Sequence, residues 1–116
     1  MTWLYASALF MVVTAAIHSI GGEKRLLIPA MTYRTGIMAH PHARKVFRGA
    51  WHLTSLFMVL TAAVMAWPET DNGLKALVAT AWLATGLWSL ISTSGKHIGW
   101  PTLSAAGLTG LIGSLG

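Results

Sequence analysis

Apolar residues come in four long blocks along this chain, and the stretches between them are polar, basic or rich in glycine and proline. The blocks cover residues 2–20, 47–67, 74–93 and 98–115. Each holds about 18–21 residues, the length at which a helix rising about 1.5 Å per residue crosses a hydrocarbon core of about 30 Å. Gly21-Gly22, Pro68 and Gly95 are expected to stop the first three, since proline lacks an amide donor and glycine favours helix ends. The connections at 68–73 and 94–97 are short enough to make neighbouring helices hairpins. The pattern predicts an all-α fold: a single integral-membrane domain over residues 1–116, built as an antiparallel four-helix bundle with one long connection at 21–46.

Composition supports the bilayer as solvent. The chain is 54% hydrophobic and 9% charged, with a mean hydropathy of +0.61, where a soluble domain carries roughly 25% charged residues. Cysteine is absent, which excludes disulfides, thiolate zinc sites, iron–sulfur clusters and cysteine nucleophiles. Met1–Tyr5 has no basic segment of the kind that opens a signal peptide, so the first block is expected to be a retained helix.

The formal charge of +5 matters less than its distribution. Lys24, Arg25, Arg34, Arg44, Lys45 and Arg48 cluster around the long connection, Lys96 lies in the third, and Lys75 stands apart near Glu69 and Asp71. Basic residues are retained on the cytoplasmic side, so the first and third connections are expected inside and both termini outside, in a bacterial inner membrane. The basic connection suits anionic lipid headgroups. No basic surface interleaved with aromatics is present, so nucleic acid is not an expected partner. In the fourth block, Gly107, Gly110 and Gly113 recur at three-residue spacing. Small residues let membrane helices approach closely, which serves either packing within one bundle or a homodimer seam through helix four.

With this topology His18, His52 and His97 fall at three helix ends on the cytoplasmic side, and Glu23 lies just past the first. His40 and His42 are on the same side, in the long connection. Ionisable residues at membrane depth are costly and mark functional sites. Ser7, Met11, Thr14 and His18 form one stripe at helical spacing, and Trp82, Thr85, Ser89 and Ser92 form another leading toward His97.

Imidazole is the commonest neutral metal ligand. Three histidines, or two with a glutamate, make an open zinc site, and two histidines on facing helices can hold haem b axially. The expected site is therefore His18, His52, His97 and Glu23 around a transition metal (Zn, Fe or Cu) or haem. His18 and His52 would be the haem ligands, and Glu23 a fourth ligand or a proton acceptor in catalysis. Such a site would serve redox chemistry, metal handling or membrane-embedded catalysis. Two other readings use the same residues: a metal-dependent hydrolase of lipid esters or amides, with water activated beside Ser19 or Ser55, and a non-catalytic subunit whose polar edge meets lipid or a partner.

The strings His18-Ser19-Ile20-Gly21-Gly22-Glu23, Ala50-Trp51-His52-Leu53-Thr54-Ser55 and Lys96-His97-Ile98-Gly99-Trp100-Pro101 together resemble small four-helix proteins of bacterial inner membranes. The resemblance covers nearly the whole chain. It implies the topology above and brings no reaction with it.

The charge split makes a direct prediction. Reporter fusions at residue 72 and at either terminus should report outside, and a fusion at residue 35 inside. A cytoplasmic signal at residue 72 would invert the topology.

Overall fold

The computed structural model describes residues 1–116 and is all-helical. Helix α1 (Thr2–Ala16) runs through two π-helical segments, Ile17–Gly21 and Glu23–Leu27, into α2 (Ile28–Tyr33). The result is one continuous helix of 32 residues from Thr2 to Tyr33. Arg34 and Gly36, both with positive φ, then reverse the chain. A 3-10 turn at Gly36–Ala39 leads into α3 (Pro41–Ala66), which begins with proline in its first turn, where no amide donor is needed. Helix α4 (Asn72–Ser92) is N-capped by Asp71, whose side chain accepts from the Leu74 amide. Helix α5 is Trp100–Leu115.

Three of these helices, Thr2–Tyr33, Pro41–Ala66 and Asn72–Ser92, are long and apolar enough to cross a membrane. The fourth block, expected over 98–115, forms a helix of 16 residues, about 24 Å at the usual rise. The outer surface is the kind a bilayer solvates. Leu9, Leu77, Trp88 and Ile91 are 63–74% exposed, while only 20 of 116 residues are buried.

The largest departure from the sequence pattern is at Gly21-Gly22. The helix does not stop there, and the stretch expected as a loop at 21–46 is mostly helical. Each glycine costs a helix about 1 kcal/mol relative to alanine. That cost is offset at Gly22 by tertiary packing: a Cβ there would collide with the indole of Trp51 on α3.

The core joins all four long helices through Leu4, Met11, Ala62, Met65, Ala79, Trp82, Leu103 and Ala106. Helix α5 lies against both α1 and α4, and α1 also packs on α3. The glycines of α5 are used inside the chain. Gly107 meets the backbone of Leu83 on α4. Gly110 faces Ala79, Met65 and Ser7, and Gly113 faces Leu4. Gly86 on α4 makes the matching approach to Ser104. Polar side chains tie the helices further: Ser7 donates to the Ala106 carbonyl (2.7 Å), and Trp82 Nε1 donates to Thr61 Oγ1 (3.1 Å) across the wider gap between α3 and α4. Lys75, at the start of the third apolar block, is not a surface charge. It is 2% exposed in the first turn of α4 and forms no ion pair with Glu69 or Asp71.

The glycine contacts predict Gly110→Leu to lower stability by about 1–3 kcal/mol or more, because all three neighbours of the added carbon lie at 2.8 Å. Gly49→Ala, with nothing within 4 Å of the new carbon, should not destabilise. Thermal unfolding in detergent compares the two, and equal midpoints would show that the α5 face is loosely packed.

Candidate functional site

The four expected site residues gather at one end of the packed helices and divide there into two groups beside a clamp between α1 and α3. The clamp is Trp51. Its indole lies over Gly22 and stacks on the His18 ring, with centroids 4.2 Å apart and planes 7° from parallel. Trp51 Nε1 donates to the His18 carbonyl (2.7 Å), and His18 Nε2 donates in return to the Trp51 carbonyl (3.1 Å). A carbonyl only accepts, so this bond fixes the neutral tautomer: Nε2 carries the proton and Nδ1 keeps its lone pair.

On one side of the clamp is a polar chain. Ser19 Oγ lies 2.9 Å from His52 Nδ1 and 2.6 Å from Ser55 Oγ. The other ring nitrogen of His52 is 3.9 Å from Glu23 Oε1, which is paired to Arg48 Nε at 2.9 Å. The second oxygen of Glu23 is buried without a hydrogen-bond partner. Ser19 and Glu23, four residues apart along the π-helical stretch, thus both reach His52. Bulges of this kind inside α-helices recur at functional sites.

On the other side is a cavity of about 150 Å³ between α1, α3 and the start of α5. His18 and His97 line it together, with Arg25 beside them. Thr14, Met58 and Leu103 lie deeper in the bundle, and Gly21, Gly22 and Gly99 leave backbone exposed in the wall. His97 is held by its own loop. Helix α4 ends with Ser94 and Gly95 in the left-handed region and a Gly95 amide bond to the Leu90 carbonyl (2.8 Å). The His97 amide then donates to Thr93 Oγ1 (3.0 Å), and the Gly99 amide donates to His97 Nδ1 (3.0 Å). With Nδ1 accepting, the proton of a neutral His97 sits on Nε2.

The structure therefore pairs His52 with Glu23 and His18 with His97. No three of the chain's His, Asp and Glu side chains come together in a group that could hold a metal ion. Sequence reasoning missed Trp51 as the clamp, Ser19 as the partner of His52, and Arg25 and Arg48 as site residues. The signal available for Trp51 was Gly22, a glycine inside an apolar helix with no turn to make. His40 and His42 stay apart from both groups: His40 caps α3 and His42 borders a surface groove with Val46 and Phe47.

The clamp makes a prediction of opposite sign to helix propensity. Alanine favours a helix over glycine by about 1 kcal/mol, so Gly21→Ala, where the nearest atom is 4.0 Å away, should raise the unfolding temperature. Gly22→Ala should lower it by displacing Trp51. Equal effects at both positions would mean that the indole does not depend on Gly22. Compared with protein-family models, with curated proteins and with solved structures, this chain matches none.

Proposed function

We propose that this chain is a multi-pass protein of the bacterial inner membrane, an antiparallel bundle with both termini outside, whose cytoplasmic end binds the polar head of a membrane amphiphile. The observation that carries the reading is the lining of the cavity. His18, His97 and Arg25 stand around an apolar interior formed by residues such as Met58 and Leu103. An apolar pocket with a few convergent polar groups is the usual form of a small-molecule site. The polar chain Ser19–His52–Glu23–Arg48 belongs to the same end. In this reading it holds α1 to α3 and carries charge to the surface, where lipid phosphates meet Arg48 and the basic connection.

A transition metal is the second reading, favoured by two imidazoles on one cavity. His18 Nδ1 has a free lone pair for it. His97 would have to give up its bond from the Gly99 amide, since Nε2 can ligate only when the proton moves to Nδ1. Haem b asks more, because the nitrogens left free, His18 Nδ1 and His52 Nε2, share no cavity: His18 lines the one described here and His52 does not. A serine nucleophile with His52 as base is the form the hydrolase reading takes here, carried by the 2.9 Å approach of Ser19 to His52.

Three measurements on the purified full chain separate these readings. Organic extraction and mass spectrometry should find an amphiphile near one per chain, lost in His97→Ala and Arg25→Ala. Elemental analysis with a visible spectrum should show sub-stoichiometric metal and no Soret band; stoichiometric metal sensitive to His18→Ala would replace the first reading by the second. A fluorophosphonate probe should leave Ser19 unlabelled, and labelling abolished by Ser19→Ala would establish the hydrolase.

A further inference from the structure

The cavity opens onto the outside of the helices. A shallow groove shares Ile17, Gly21, Arg25 and Ile98 with it and continues over Ala16 and Ile20, with Lys24 beside Arg25 on its rim. Ile20 is 60% exposed on the face a bilayer would cover. A molecule seated in the cavity would therefore have a continuous apolar path for a tail, with its head at the depth of the helix ends.

Size and hydrogen-bonding pattern narrow the head. A cavity of about 150 Å³ is the size that takes a single six-membered ring. Its polar groups are mixed in kind. His97 offers Nε2–H, because Nδ1 is engaged by the Gly99 amide. Arg25 offers only donors. His18 offers an acceptor, because Nε2 is engaged by the Trp51 carbonyl and Nδ1 has no protein partner. A carboxylate or phosphate brings acceptors alone and would face the His18 lone pair. A quinol hydroxyl both donates and accepts, so a ring bearing two of them meets every group: one accepts from His97 or Arg25, and the other donates to His18. Met58 supplies a thioether for contact with the ring.

On this basis, and resting on the amphiphile reading above, we infer that the cavity between His18, His97 and Arg25 binds the ring of a membrane quinol in preference to the oxidised quinone, with the tail leaving along the Ile17–Ile20 groove.

The test is a titration of the full chain in detergent or nanodiscs with decylubiquinol kept reduced, with laurate as a competitor of similar tail length. Saturable binding at one per chain, not displaced by equimolar laurate, is the expected result. Gly21→Leu puts a side chain on the cavity wall where a Cβ meets nothing closer than 4.0 Å. It should weaken binding at least tenfold with an unfolding temperature no lower than that of the parent. His97→Ala should weaken it by a similar factor. Laurate bound in place of the quinol would overturn the inference and leave the amphiphile reading standing. Quinol binding indifferent to Gly21→Leu would place it elsewhere and also overturn the inference. No binding of the quinol to the folded chain would overturn it as well, and only the further absence of any extractable amphiphile would remove the amphiphile reading itself.

Discussion

An indole laid flat on a glycine governs the polar end of this protein. Because Gly22 has no side chain, Trp51 of α3 reaches the backbone of the first helix, and the two hydrogen bonds it exchanges with His18 close the joint. Inside a bilayer such bonds contribute modestly, about 0.6 kcal/mol on average in measured cases. Their larger effect is geometric. They hold the His18 ring parallel to the indole, choose its tautomer, and put His52 on one side of the joint and the cavity on the other. The three histidines at one end divide between a polar chain and a cavity for this reason.

The same economy of small residues operates at the other contact of the first helix. Helix α5 is short and makes up for its length by approach: glycines at 107, 110 and 113 bring its backbone against α4 and α1. That placement sets Leu103 under the cavity and delivers the Thr93–Gly99 connection, with His97, to the mouth beside His18. A homodimer seam on α5 would have to use the opposite face, where Leu108 and Ile112 are exposed.

What the site can bind follows from which atoms the protein has already used. His18 and His97 each spend one nitrogen on a backbone partner, and Glu23 spends one oxygen on Arg48. What is left over is an acceptor on His18, a donor on His97, and the unpartnered Glu23 Oε2, with the last outside the cavity lining. A ligand with both donor and acceptor character suits that remainder better than a bare cation.

Much was legible in the sequence because it is a local property. Hydropathy marked the long apolar helices, Gly95 marked the end of α4, and the charge split placed the histidines with the basic residues. Both ends of α1 were within reach of the same logic only in part. Gly21-Gly22 reads as a stop, and only a contact from another helix shows that it is a landing place for Trp51. The burial of Lys75 is equally non-local, since a lysine at the start of a helix ordinarily keeps its charge in water. The sequence by itself determined the helices, their membrane-length apolar character and the end at which ionisable groups collect, because each depends on residues close along the chain. Only the tertiary structure decided which imidazoles share a cavity and which nitrogen each presents, because a histidine's tautomer is set by the partner that another helix or loop brings to it.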